Sequence, residues 1–137
     1  MNKVFFEIKG EPLVKGRPRF KKIGNRVATY TPKRTAMFEN LVKMTASKHF
    51  EKPFEGPIAI ELVFLMPRPQ RLVWKTKPMP ECPCDKRPDA DNLTKAITDG
   101  LNGIAFKDDA QIAEQHVYKR YHSGDEGPKT IVTIWEL

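Results

Sequence analysis

Six aspartates, at positions 85, 89, 91, 99, 108 and 109, crowd the stretch DKRPDADNLTKAITDGLNGIAFKDDAQ (residues 85–111) of a chain whose formal net charge is +7. Like charges held close repel, so a fold that gathers these carboxylates needs a cation to offset them. Hard divalent cations take oxygen ligands. The stretch therefore reads as a metal site, with the rest of the chain holding it and bringing it a polyanion. It also dictates its own local structure. Leu93, Ala96, Ile97, Gly100, Leu101 and Ile104 recur at helical spacing and predict one apolar helix face. Asp91, Lys95, Asp99 and Asn102 fall on another face, at steps of four, four and three. Asp91-Asn92 supplies the N-cap and first-turn acid of a helix start, and Gly103 is a stop signal.

Asp89 and Asp91 lie two positions apart, so in extended or cap geometry both turn to one side. Lys95 then stands one turn below Asp91, placed to hold a phosphate oxygen or offset charge in a transition state. Asp108-Asp109 opens the next strand, and one of the pair is expected to face the helix cap. A blander reading is a capped helix with an i,i+4 Asp–Lys pair and an acidic turn. Each piece alone is more often that; three acids converging with Lys95 in one short stretch favour a site.

Charge elsewhere is uneven in a way that suits a phosphodiester substrate. Residues 1–38 hold ten Lys or Arg against two Glu, a net of +8, and residues 66–88 hold six basic against two acidic groups, a net of +4. The acidic stretch 89–109 nets −3. Within KGRPRFKK (15–22), Lys15, Arg17, Arg19, Lys21 and Lys22 form a basic loop or hairpin expected to grip phosphate backbone, with Phe20 or Tyr30 available to stack on a base. A solvated loop is the plain alternative. Lys86 and Arg87, just ahead of Asp89, extend the expected DNA contact.

The remaining pattern predicts a mixed sheet. Strands are expected over 3–9, around 26–30, over 58–66 (IAIELVFLM, the central one), 111–121 and 130–137. Thr31-Pro32 starts a helix running to about Lys48, with Phe38, Leu41, Val42 and Thr45 as its core or dimer face. Residues 67–88 contain six of the twelve prolines, which excludes a helix or central strand there. That segment reads as a long basic surface loop in which Trp74 either anchors the chain or stacks on unpaired bases. Cys82-Pro-Cys84 lacks a second ligand pair, with His116 and His122 weak substitutes, so zinc is rejected.

The expected architecture is α+β: a single compact domain over residues 1–137, with a mixed β-sheet and two main helices in the order β-β-α-β-α-β-β. One domain suits 137 residues, and 39% hydrophobic with 30% charged residues excludes a disordered chain. No apolar run approaches a membrane span, and the first residues lack a signal-peptide core. With two cysteines and no disulfide framework, a cytoplasmic location is expected. The pI near 9.5 points to nucleic acid. No Cys, Ser–His or His–metal constellation offers competing chemistry.

The pattern Asp89-x-Asp91-Asn92-Leu93-x-Lys95, then Asp99-x-Leu101-Asn102-Gly103, then Asp108-Asp109-x-Gln111, closely resembles the RusA family of Holliday-junction resolvases, often carried by prophages. The KGRPRF segment, Tyr30-Thr31-Pro32 and the basic lead into Asp89 resemble it too. The resemblance implies a Mg²⁺-dependent endodeoxyribonuclease, with Mn²⁺ as a substitute, acting as a homodimer on four-way DNA junctions in recombination and repair. It places the metal carboxylates on Asp89, Asp91 and Asp109 and the essential lysine on Lys95, these four forming the catalytic set. The Cys82-Pro-Cys84-Asp85 interruption of the basic lead-in departs from the family pattern. Two other readings stay open: a nuclease for flaps or other branched DNA, and a non-catalytic basic DNA-binding protein whose acidic stretch is structural. A DxD-type glycosyltransferase is more distant, since its fold ordinarily needs a longer chain.

Overall fold

The apolar run 58–66 is the strand around which the other elements assemble. A computed structural model describes residues 2–14, 19–24, 26–30 and 33–137, with 19–21, 23 and 27–30 described by backbone alone. In chain order the elements are β1 (Lys3–Lys9), β2 (Arg19–Ile23), β3 (Arg26–Tyr30), α1 (Lys33–Ser47), β4 (Ile58–Met66), β5 (Cys82–Pro83), α2 (Ala90–Leu101), β6 (Ile112–Tyr121) and β7 (Lys129–Glu136). Short 3₁₀ turns occupy Gln70–Leu72 and Asp109–Gln111.

Five strands form one mixed sheet in the order β1-β7-β4-β6-β5. β4 pairs antiparallel with β7 on one side and parallel with β6 on the other. A parallel pair needs a long crossover, and here the proline-rich loop and α2 provide it. The domain is α+β, as expected, and the expected order gains two strands. The second half of the basic segment pairs with β3 as a separate hairpin, turning at Gly24 with φ +60°. The two-residue β5 sits at the sheet edge, where Pro83 interrupts no inner ladder.

Side chains alternate across a strand, and one set from each strand builds the core. Ile58, Ile60, Leu62, Phe64 and Met66 of β4 are buried with Val132 and Ile134 of β7 and Phe6 and Ile8 of β1. Both helices contribute to this core. α1 supplies Phe38, Val42 and Ala46, and α2 supplies Leu93, Ala96, Ile97 and Leu101. The predicted apolar face of α2 is therefore the buried one, with Ile104 just beyond it partly buried.

α1 departs slightly from expectation. Its inward stripe is Thr35, Phe38, Val42 and Ala46, one position around from the expected Phe38, Leu41, Val42 and Thr45. Leu41 is 43% exposed, beside Met37 at 63% and Met44 at 65%. The reason is geometric: three-then-four spacing keeps 35, 38, 42 and 46 over the sheet and turns 37, 41 and 44 away. The expected Thr31-Pro32 start lies outside the described residues.

α1 and α2 meet closely at Gly100. A Cβ built there stands 2.7 Å from Val42 Cγ1, inside any real contact. Glycine in a helix interior is otherwise unfavourable, so this one is explained by packing. Gly100→Ala is expected to lower stability by about 1–3 kcal/mol through overpacking. Urea unfolding measures it, and Gly100→Ala combined with Val42→Ala should be less destabilised than the sum of the two single variants.

Candidate active site

α2 begins where the lead-in loop ends. Asp89 is the N-cap by backbone geometry (φ −68°, ψ 145°), and Ala90 opens the helix. The cap thus falls two residues earlier than Asp91-Asn92, while Asp91 keeps its place as the acid of the first turn. The Asp89 side chain makes no capping hydrogen bond, so its carboxylate is not engaged by the helix end. Asp91 then shares a helix face with Thr94, Lys95 and Thr98, at three- and four-residue steps.

That face looks across a solvent-open hollow of about 490 Å³ at the start of β6. Asp91, Thr94, Lys95 and Thr98 line it from α2; Asp109, Ile112, Ala113 and Gln115 line it from the other side. Three of the four expected catalytic residues, Asp91, Lys95 and Asp109, are therefore brought together. The fourth, Asp89, is exposed and outside the lining. The Lys95 ammonium lies 3.1 Å from Asp99 Oδ1 and 3.8 Å from Asp109 Oδ2. It bridges the helix and the turn that carries Asp109. Among the described residues, no three His, Cys, Asp or Glu side chains cluster closely enough to hold one ion.

Asp109 and Asp108 do different things. Asp108 caps the 3₁₀ turn, its Oδ1 accepting from the Ala110 amide at 3.1 Å. That hydrogen bond, with the neighbouring Asp109 side chain, holds the Asp108 carboxyl below the usual range. Asp109 faces the hollow. The pair thus divides into a structural acid and a site acid.

The lead-in loop is held from β6. Lys119 Nζ donates to the carbonyls of Lys86 and, at 2.8 Å, Pro88, and Cys84 N–H donates to Lys119 O. An alternating strand lysine ordinarily faces water, but the Lys119 ammonium turns inward onto backbone. Lys86 and Arg87 are exposed, and Lys86 lines a second hollow with Arg71, Asp85 and Tyr121. In the basic segment Lys22 is exposed; Lys15 and Arg17 lie outside the described residues, and Arg19 and Lys21 are placed on β2 by backbone alone. Trp74 is anchored: its Nε1 donates to Arg71 O, and Lys77 Nζ and Arg68 Cζ lie 4.1 Å and 5.2 Å from its ring centroid. A larger hollow of about 680 Å³, between the end of the chain and the α1–β4 connection, contains none of the expected site residues.

The family model of endodeoxyribonuclease RusA matches residues 9–135. The chain belongs to the RusA endodeoxyribonuclease family. An uncharacterized Bacillus subtilis (strain 168) protein, YqaN, is 31% identical over 144 aligned positions, covering all of this chain and 99% of the relative. As a RusA-family member the chain is a hydrolase acting on DNA, and among its described residues no helix is long and apolar enough to cross a membrane.

Two side chains that tie down the segments carrying Asp89 and Asp109 were given no supporting role by the sequence. Lys119 left no signal, because an alternating strand lysine normally faces water. Gln111 did leave one: Asp108-x-x-Gln111 is the spacing of a capping box. Lys119→Met leaves the Lys86 and Pro88 carbonyls without their charged donor. It is expected to cost about 1.5–3 kcal/mol in urea unfolding and to speed amide exchange selectively in residues 84–89.

Proposed function

We infer that this chain resolves four-way DNA junctions, cutting two symmetric strands as a homodimer with Mg²⁺ as cofactor. The observation that carries the reading is the hollow in which Asp91, Lys95 and Asp109 converge. Oxygen donors of this kind suit a hard cation. Mg²⁺ binds through one or two carboxylates and keeps several waters, so Asp91 and Asp109 fit it without a three-acid cage. Asp89, one residue before the helix, has a carboxylate that is not engaged in capping and lies outside the lining of the hollow. When bound, the cation supplies an activated water and stabilises charge on the phosphoryl oxygens.

The chain's own residues do the rest. Lys95 offsets the Asp109 charge and offers its ammonium to a phosphate oxygen entering the hollow. The hollow opens to solvent, so water reaches the phosphorus unhindered. Lys86 and Arg87 flank the entry to Asp89, and together with Lys15, Arg17, Arg19, Lys21 and Lys22 they supply positive charge for the DNA backbone. The exposed α1 stripe of Met37, Leu41 and Met44 offers an apolar surface to a second copy. The DNA-cutting assignment favours this reading over a DNA-binding module with a structural acidic stretch.

The test is cleavage of a synthetic mobile four-way junction with Mg²⁺ or Mn²⁺, wild type beside Asp91→Asn. Wild type should give paired symmetric nicks; Asp91→Asn should bind the junction and cut it at least about 100-fold more slowly. Binding without cutting by wild type, with either metal, would sink the catalytic reading. Preferential cutting of flaps in a substrate panel would replace the junction as substrate.

A further inference from the structure

Gln111 has every hydrogen-bonding position of its carboxamide in use. Its Oε1 accepts from the amides of Lys107 at 2.8 Å and Asp108 at 3.0 Å. Its Nε2 donates to the carbonyls of Phe54 at 2.8 Å and Gly56 at 3.0 Å. A primary amide has two N–H donors and an oxygen with two lone pairs, so no capacity is left over. The acceptor half closes the turn that contains Asp109. The donor half ties that turn to the α1–β4 connection, more than fifty positions away in sequence.

Other bonds lace the same segments but hold the turn less well. Phe54 N–H donates to Ala105 O, and Phe54 bridges Phe106, which fixes the chain before Lys107 rather than Asp109 itself. The Lys107–Glu55 ion pair spans the two segments at 3.1 Å, but both side chains are largely exposed, and such pairs contribute little. The Asp108 cap and the Gln111 N–H to Asp108 O bond shape the turn internally, and the pairing of Ile112 with Ile58 holds only its C-terminal end. Asp109 is exposed and belongs to a three-residue turn, so its direction follows the turn as a body.

We propose that Gln111 is a positioning residue for Asp109, its carboxamide anchoring the turn so that the Asp109 carboxylate faces Asp91 and Lys95 and completes a divalent-cation site. The proposal rests on the reading of the hollow as the metal centre. Its two halves separate by substitution. Gln111→Glu keeps the length and the acceptor for the Lys107 and Asp108 amides, loses both donors, and sets a carboxylate against the Phe54 and Gly56 carbonyls. Gln111→Met removes both halves.

The experiment measures Mn²⁺ binding to the full chain by isothermal titration calorimetry, without DNA, alongside thermal unfolding and junction binding in EDTA. Both variants should bind Mn²⁺ about 10–100-fold more weakly than wild type, the usual effect of losing a supporting group. Junction binding without metal should change less than about threefold, because neither substitution removes a basic side chain that meets the DNA backbone. Ile134→Val, a buried core change in β7 that lowers stability without touching the turn, should leave Mn²⁺ affinity unchanged. If Gln111→Met fails to unfold cooperatively, Gln111→Glu decides by the same readout. A folded Gln111 variant with wild-type Mn²⁺ affinity overturns the positioning role. A wild-type chain that binds neither Mn²⁺ nor Mg²⁺ overturns the metal reading of the hollow, and the proposal with it.

Discussion

The structure depends on the way α2 packs beside α1 against the sheet. Leu93, Ala96, Ile97 and Leu101 bury one side of this helix in the core, and Gly100 lets it approach Val42 of α1 without a gap. Burial of that face fixes the rotation of the helix about its axis, since a helix has one azimuth once its apolar stripe is covered. With the azimuth fixed, Asp91, Thr94, Lys95 and Thr98 have nowhere to point but the hollow beside β6. The site is thus a by-product of core packing. A change that rolled α2 by one residue would move Asp91 and Lys95 off the hollow before it touched any carboxylate chemically.

Electrostatics then decides what that hollow can be. Exposed ion pairs contribute little to stability, so the Lys95–Asp99 and Lys95–Asp109 contacts are not what holds α2 in place. Their consequence is local: one ammonium sits between acids that would otherwise repel. In a chain of net charge +7, a small negative hollow with exposed Lys86 and Arg87 close by in sequence is an arrangement in which DNA is attracted by the surroundings and met at the centre by carboxylates. A nuclease that needs a cation at its acids and a polyanion at its rim is built from that contrast.

Both acid-bearing loops are irregular backbone, and both are restrained from the strand that follows α2. Lys119, inside β6, holds the carbonyls of Lys86 and Pro88 ahead of Asp89. Gln111, at its entrance, holds the turn of Asp109. Loops alone place a side chain loosely; a loop tied at several backbone groups to a central sheet inherits its rigidity. β6 pairs with β4 along nine register positions, so the two ties lead back to a strand buried at seven of its nine positions.

Much of this was legible in one dimension. The strands 3–9 and 58–66, the apolar face of α2 and its stop at Gly103, and the shared helix face of Asp91 and Lys95 follow from periodicity and short-range spacing, which the backbone obeys wherever the chain goes. The RusA pattern itself is carried by residues close together in sequence. What lay beyond the sequence came from contacts between distant segments: the order β1-β7-β4-β6-β5, the inward turn of Lys119, the outward turn of Leu41, the position of Asp89 outside the lining of the hollow, and the Gln111 tie to Phe54 and Gly56. Spacing states which residues share a face of one element. It does not state which element covers that face or where a long polar side chain ends, because those depend on how strands and helices separated by dozens of residues pair and pack. The sequence by itself determined the elements and the chemistry they carry; tertiary structure alone decided which carboxylates meet.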